Sequence, residues 1–249
     1  MKINEIYLGD CLELMPKYVE DKSIDMIFCD LPYGTTQNNW DSVIPLDKLW
    51  KEYKRVIKDN GAIVLFSAQP FTSVLVSSNL KMFKYEWVWN KVVPTNHLNA
   101  KRQPMRLHEN ICVFYKKQCT YNRQMTDKPK EYQRPNRKLV KDAFYETKNY
   151  GDFKRGFAED SDYTKTNPKT IVKFSNGNRY SKDRNHPTQK PLSLIEYMIK
   201  TYTNEGDLIL DNTCGSGTTG LGAKNLNRNY IMMEQDPKYY EIACERVQG

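Results

Sequence analysis

Apolar residues along the chain fall into two rhythms. Ile24–Cys29, Ala62–Ser67, Asp207–Asp211 and Tyr230–Glu234 are short, almost continuous apolar runs, and each reads as a strand buried on both faces. Leu46, Leu49, Trp50, Tyr53, Val56 and Ile57 recur at helical spacing, with Asn60-Gly61 as the stop signal. Phe71–Leu80, Gly217–Leu226 and Pro237–Val247 read as helices. A further helix opens at Pro191, a residue suited to the first helical position, and carries Leu192, Ile195, Met198, Ile199 and Tyr202 on one face. Glu86–Asn90 and Asn110–Tyr115 read as strands that can pair antiparallel, and charged, irregular sequence follows to about Asn185. Strands alternating with helices predict a doubly wound, mostly parallel α/β sheet. No internal repeat is visible.

Composition changes this picture little, and charge changes it more. Mean hydropathy is −0.76, and the longest apolar stretches fall far short of the ~20 residues of a spanning helix, which argues against a membrane-spanning helix. Met1–Glu5 has no apolar run, so no secretory signal is expected, and six cysteines without a Cys-x-x-Cys spacing suggest reduced thiols in a cytoplasmic protein. With three histidines, no metal site is expected. The net charge of +8 sits in one place. Lys116–Arg184 holds 18 basic and 9 acidic residues, against 20 and 21 in the rest of the chain. Tyr132, Phe144, Tyr145, Tyr150, Phe153, Phe157 and Tyr163 lie among these charges. Basic residues interleaved with aromatics suit a polyanion with stackable bases; a solvated surface insertion is the plainer alternative. Asn96–Arg106 is a second basic stretch that can touch such a partner.

Two loops carry candidate chemistry. Leu208–Asp211 runs into Asn212-Thr213-Cys214-Gly215-Ser216-Gly217-Thr218-Thr219-Gly220, a strand, a glycine loop and a helix start, and Glu234 ends the next strand. Glycines let a ligand approach the backbone, helix-terminal N–H groups point at it, and an acid on the next strand can accept from ribose hydroxyls. The pattern predicts a nucleoside cofactor without separating a nicotinamide dinucleotide from S-adenosylmethionine, and it is not a P-loop. Asp30-Leu31-Pro32-Tyr33-Gly34 also follows a buried strand. A carboxylate and a peptide carbonyl can accept both hydrogens of an exocyclic amine, a proline constrains the backbone, and a tyrosine offers a face to a planar base. Trp40 is a candidate for lining the same pocket; Trp87 and Trp89 alternate on a strand and read as packing residues, and His97 and His108 as surface or partly buried histidines.

At these residues the chain resembles the beta-class, permuted DNA amino-methyltransferases. Asp30–Tyr33 is similar to their catalytic Asp-Pro-Pro-Tyr motif, and Asp211–Thr219 to their Asp-Pro-Phe-x-Gly-Ser-Gly-Thr-Thr cofactor loop. His186–Pro191 resembles the segment before that loop, Gly9-Asp10 the adenine-contacting loop, and Glu234 the ribose-binding acid. The resemblance covers about the first 115 and last 65 residues. It implies a Rossmann-like methyltransferase fold, circularly permuted, with a doubly wound mostly parallel sheet and an antiparallel strand pair. It divides the chain into a catalytic half (1–115), a basic target-recognition insertion (116–185) and a cofactor half (186–249). Asp30, Leu31, Pro32 and Tyr33 are implied to be catalytic. Asp10, Cys11, Asp30, Thr188, Gln189, Lys190, Asp211, Cys214, Gly215, Ser216, Gly217, Thr218, Thr219 and Glu234 are implied to bind S-adenosylmethionine. Two departures stand out: Leu31 replaces the first proline, and Asn212-Thr213 replaces Pro-Phe beside the cofactor.

The activity this implies is transfer of a methyl group to the N6 amine of an adenine flipped out of double-stranded DNA. Cytosine-N4 methylation is the alternative within the family, and an NAD-dependent oxidoreductase the alternative outside it. A Pro-Cys dipeptide, which cytosine-carbon methyltransferases require, is absent. The resemblance leaves room for a homodimer and a cognate restriction endonuclease. It also places the strand ending at Asp211 beside the strand ending at Asp30, so that both loops flank one crevice.

Overall fold

The computed structural model describes residues 1–34, 43–132, 144–147, 151–154, 164–175 and 189–249. The chain divides into two compact units, Met1–Asn122 with Lys169–Gly249, and Arg123–Pro168. The basic segment 116–185 therefore runs through both: residues 116–122 and those from Lys169 onward belong to the larger unit.

The larger unit opens with β1 (Glu5–Leu8), α1 (Cys11–Tyr18), β2 (Ile24–Asp30), α2 (Leu46–Val56), β3 (Ile57–Ser67), α3 (Phe71–Ser78), β4 (Phe83–Thr95) and β5 (Arg106–Phe114). The smaller unit holds two short antiparallel ladders, β6 (Thr126–Asp127) with β9 (Lys165–Thr166), and β7 (Phe144–Thr147) with β8 (Gly151–Lys154). The chain then returns through β10 (Ile171–Lys173), α4 (Leu192–Tyr202), β11 (Leu208–Asp211), α5 (Thr218–Asn225), β12 (Asn229–Glu234) and α6 (Pro237–Gln248).

Eight strands form one sheet in the order β1-β12-β11-β2-β3-β5-β4-β10. Neighbours are parallel except where β5 pairs antiparallel with β3 and β4. The apolar runs are continuous because both faces of the sheet are covered. Met26 and Phe28 of β2 face a core with Trp89 of β4, Met198 and Tyr202 of α4, and Val247 of α6. Ile27 and Cys29, the alternate residues, face Met15 of α1, Trp50 and Tyr53 of α2, and Leu75 of α3. Trp87 and Trp89 are buried, and their indole N–H groups donate to the Tyr202 hydroxyl and the Phe174 carbonyl.

The elements differ from the sequence pattern in four places. Helix α2 ends at Val56, and Ile57–Gly61 belongs to β3 instead of terminating the helix. The β2–β3 register shifts between Ile24 and Met26, and a Cβ at Gly61 would lie 2.8 Å from the Asp25 carbonyl oxygen. Gly61 is thus a close-approach residue inside an irregular strand pair. Strand β1 and helix α1 had no predicted counterpart. Strands β4 and β5 extend well beyond the predicted pair, to Thr95 and from Arg106. Ile171–Lys173, within the sequence read as irregular, adds an edge strand parallel to β4 with Val172 buried.

Candidate active site

β11 lies directly beside β2, with Leu210 opposite Ile27. The strand order turns at this pair, which is where an open α/β sheet places its ligand crevice. The carboxyl ends of both strands deliver the two loops singled out in the sequence to the same edge. The Thr213 hydroxyl, from one loop, donates to the Asp30 carbonyl, in the other, at 3.2 Å.

Asp30 is the last residue of β2 and is partly exposed. Its Oδ1 accepts the Tyr33 hydroxyl at 2.7 Å. The Tyr33 ring stacks on Phe71 at 5.2 Å between centroids, which orients it beside the carboxylate. Burial, then the Asp30 and Glu109 charges, push the Tyr33 phenol well above its ordinary range, so it stays protonated and donates. The Leu31 side chain is buried in the core with Cys29 and Leu49. It anchors the loop by packing where a proline would anchor it by ring geometry. Pro32 is half-buried between them.

Asp30 Oδ2 is ion-paired with Lys190, and the Lys190 ammonium also stands 3.5 Å from Glu109 Oε2 and over the Phe66 ring at 5.0 Å. Glu109 Oε1 in turn takes Lys91 Nζ at 3.1 Å, and Lys91 reaches Thr95 Oγ1 at 3.2 Å. Burial alone would neutralise Lys190; the Asp30 and Glu109 carboxylates outweigh it and hold its pKa above the usual lysine value. Burial likewise pushes Glu109 up, but Lys190 and Lys91 overcome it and leave Glu109 below the usual carboxylate value. Glu109 and Lys91 went unnoticed in the sequence. The available signal was a lysine in step with Trp87 and Trp89, on the buried face of a strand.

The glycine loop is built for close approach. Gly217 caps α5 at φ +76°, and a Cβ there would lie 3.0–3.1 Å from Val247 and Ala243. At Gly215 a Cβ would meet nothing within 4 Å among the described residues, so the loop backbone borders space they leave open. Glu234 ends β12 with both carboxylate oxygens held: Gly215 N–H donates to Oε2 at 2.8 Å and Asp236 N–H to Oε1 at 2.9 Å. The Gly9 N–H donates to the Glu234 carbonyl at 2.8 Å, bringing the Gly9-Asp10 loop to the same place. Asp10 caps α1, accepting from Leu12 N–H at 2.7 Å, and Cys11 is buried behind it. Asp211 is buried and accepts from the Thr213 N–H at 3.1 Å. Cys214, Ser216, Thr218 and Thr219 are all buried, and Arg246 binds the Ser216 carbonyl and, at 2.9 Å, its hydroxyl.

Asn212, one of the two departures, turns inward. Its Oδ1 accepts the Tyr53 hydroxyl at 2.6 Å and the Cys29 thiol at 2.9 Å. It serves the core beneath the loop. Gln189 is partly buried beside Lys190 in sequence. Thr188, with His186 and Pro187, and Trp40 lie outside the described residues. His97 and His108 are exposed. Among the described residues, no three His, Cys, Asp or Glu side chains are grouped to hold a metal ion, and no helix is long and apolar enough to cross a membrane.

A glycine loop, an acid on the following strand and a carboxylate–proline–tyrosine loop at one switch point define an α/β enzyme that brings a nucleoside cofactor to a second substrate. Residues 24–245 match the family model described as DNA methylase, of N6/N4 type, and the chain belongs to that family. It is 31% identical over 247 residues to type II methyltransferase M.HpaI of Haemophilus parainfluenzae, covering 93% of this chain and 70% of the relative. It is 29% identical to type II methyltransferase M2.MboI of Moraxella bovis, covering 97% and 86%. Among solved structures, the complex of M1.HpyAVI with SAM superposes with a TM-score of 0.63 at 24% identity, covering 98% and 99%. The cytosine-N4-specific PvuII DNA methyltransferase gives 0.67 at 18% identity, covering 99% and 86%. These two likenesses are of fold. The chain is therefore a DNA methyltransferase that uses S-adenosylmethionine, and the nicotinamide reading falls away.

Proposed function

We propose that this methyltransferase modifies the N6 amine of an adenine flipped out of double-stranded DNA. The observation that carries the reading is the Asp30–Tyr33 loop, joined to the cofactor loop through Thr213. The Asp-start, Tyr-end form of this motif goes mostly with adenine in the family the chain resembles.

When bound, S-adenosylmethionine supplies a methyl group already activated by its sulfonium. The target amine is a poor nucleophile because its lone pair is delocalised into the ring. Asp30 and the Leu31 carbonyl accept its two hydrogens, favouring a tetrahedral nitrogen whose lone pair is localised. Tyr33, supported by Phe71, stacks on the base. Holding the amine in line with the methyl lowers the barrier by up to roughly 7–11 kcal/mol. Methylation would leave the nitrogen with one proton to lose, and the Asp30 carboxylate is placed to accept that proton and pass it to solvent.

For the cofactor, the residues present fit the group. Open space borders Gly215, and the Glu234 carboxylate is fixed beside that space by two backbone N–H groups. We assign the ribose hydroxyls to Glu234, the adenine to the Asp10–Cys11 turn, and the rest of the cofactor to Asp211, Cys214, Gly215, Ser216, Gly217, Thr218 and Thr219, with Thr188, Gln189, Lys190 and Asp30 closing the site. The catalytic half is residues 1–115, the cofactor half 186–249, and the basic segment 116–185 reads the target sequence. The type II naming of the relatives supports a restriction–modification setting with a cognate endonuclease, and the active species is a monomer or homodimer.

Asp30→Ala tests the reading. Loss of one preorganised acceptor is expected to cut methyl transfer by about 10²–10³ while calorimetry still detects cofactor binding. A variant keeping more than about a tenth of wild-type turnover refutes the acceptor role. Single-molecule sequencing of DNA from a host expressing the chain reads the modified base directly, and N4-methylcytosine there replaces the adenine assignment.

A further inference from the structure

The amine of the target base needs a strong acceptor in Asp30, yet each of its oxygens already has a partner. Oδ1 holds the Tyr33 hydroxyl and Oδ2 the Lys190 ammonium. A hydrogen bond from Tyr33 leaves the carboxylate charge in place. An ammonium offsets it and competes with a substrate N–H for the same carboxylate. Moving Lys190 away when the base arrives would restore the full acceptor strength of Asp30, and with the Lys190 side chain only 10% exposed that movement has to end inside the protein.

The structure holds a second berth for it. Glu109 Oε2 is buried and has no hydrogen-bond partner among the described residues. The Lys190 Nζ stands 3.5 Å away, near enough for charge attraction but too far for a good hydrogen bond. A movement of about 0.7 Å would make it an ordinary charge-assisted bond. A buried acceptor left unmade is costly, which favours a state in which it is used. Lys91 holds the other Glu109 oxygen at 3.1 Å, so the carboxylate stays charged and fixed. Phe66, on the strand between Asp30 and Glu109, presents its ring to the Lys190 ammonium along the way.

We propose that Glu109 is a positioning residue for methyl transfer: it takes Lys190 over from Asp30 when the target amine binds, freeing the Asp30 carboxylate to accept the amine hydrogen. The inference rests on the proposed role of Asp30. It adds a two-position lysine whose balance between two carboxylates decides whether the acceptor is open. It also gives Lys190 a function beyond the cofactor contact implied by resemblance.

The test uses the full-length enzyme with S-adenosylmethionine and a duplex oligonucleotide. Glu109→Gln leaves Lys190 no alternative to Asp30. It is expected to lower kcat roughly 10- to 100-fold, the range for directly coupled neighbours. KM for DNA and cofactor affinity by calorimetry stay within about twofold, because DNA affinity comes mostly from phosphate contacts elsewhere. Lys190→Met added to Glu109→Gln is expected to raise kcat above that of Glu109→Gln alone, since the cation blocking Asp30 is gone. A merely structural Glu109 predicts the opposite, a double variant no better than the single one. Unchanged kcat in Glu109→Gln, a loss that falls on cofactor affinity, or no recovery in the double variant each overturns the proposal. If Glu109→Gln does not fold, Glu109→Asp, which keeps the charge but withdraws the carboxylate, carries the same test: a smaller kcat loss, and recovery on adding Lys190→Met. Asp30→Ala run in parallel separates the two levels. An inactive Asp30→Ala with an unaffected Glu109→Gln removes this inference alone, whereas an active Asp30→Ala removes the reading beneath it.

Discussion

Asp211 sits 4% exposed at the end of a fully buried strand, and its carboxyl is pushed up to about 7. Burial is the main cause; the Thr219 hydroxyl and Thr213 N–H oppose it, and the Asp30 and Glu234 charges add to it. In the unfolded chain an aspartate titrates near ~3.9. Between that pH and about 7 the native state binds the extra proton, so this contribution to stability falls as pH rises and levels off above the folded pKa. Asp211→Asn removes the titration. Thermal melts should show the variant gaining on wild type as pH is raised from about 4 to 7.5, and a difference constant with pH would refute the assignment. Glu234 makes a different residue-scale prediction. Glu234→Ala deletes the proposed ribose acceptor and releases two backbone donors, so S-adenosylmethionine affinity by calorimetry should weaken by roughly 1–3 kcal/mol. Unchanged affinity would place the ribose elsewhere.

At the scale of elements, two glycines in one loop have separable roles. Gly217 combines a left-handed backbone with 3.0–3.1 Å neighbours on α6, so Gly217→Ala should cost about 1–3 kcal/mol of stability by denaturant unfolding. Gly215 is also left-handed, at φ +52°, but among the described residues nothing lies within 4 Å of a Cβ there. Gly215→Ala should therefore cost less stability than Gly217→Ala and act chiefly on cofactor affinity; the reverse ranking would mean that the open space is not the cofactor's. The element boundaries themselves follow from tertiary pairing. β1 has four residues and α1 contains Pro16, so neither offers a sustained rhythm, although Asp10 ahead of Cys11 and Leu12 was a usable cap signal. Ile57 completes the apolar stripe of α2, yet it pairs with Ile24 in the sheet, and that pairing ends the helix one residue earlier.

For the whole molecule, the charge distribution makes a prediction about DNA binding. If Lys116–Arg184 grips phosphates, DNA affinity should fall linearly with log salt, with a slope of about −0.9 per phosphate contacted. Lys101 and Arg102, exposed between β4 and β5, and Arg106, the exposed first residue of β5, lie at the carboxyl end of β4, the same edge of the sheet as Asp30. Replacing Lys101 and Arg102 with Ala should shrink the slope magnitude by about 1.8 if both contact phosphates. An unchanged slope would clear this hairpin of DNA contact. Exchanging segment 116–185 with that of a relative should move the methylated sequence but leave the methylated atom alone if, as proposed, amine chemistry belongs to Asp30–Tyr33 and base-edge readout to the segment.

The chain on its own determined much of this protein. The apolar runs, the glycine loop, Glu234 and the Asp30–Tyr33 loop are local patterns, because strand burial, tight turns and loop chemistry depend on residues a few positions apart. They were enough for the fold, the family and its cofactor. The neighbourhood of β11 and β2 followed from resemblance, and the pairing of Leu210 with Ile27 bears it out. What only the tertiary structure decided are contacts between residues far apart in sequence. Asn212-Thr213 was read as a replacement of Pro-Phe that removes an aromatic beside the cofactor; the fold adds that Tyr53 and Cys29 draw Asn212 into the core. Lys190 was read as a cofactor residue, and the fold sets it between Asp30 and Glu109, 160 positions after the first. No periodicity encodes such a juxtaposition. A lone Glu109 or Lys91 in a strand looks like surface charge until the sheet closes over it, and only then does desolvation force the charges to find one another.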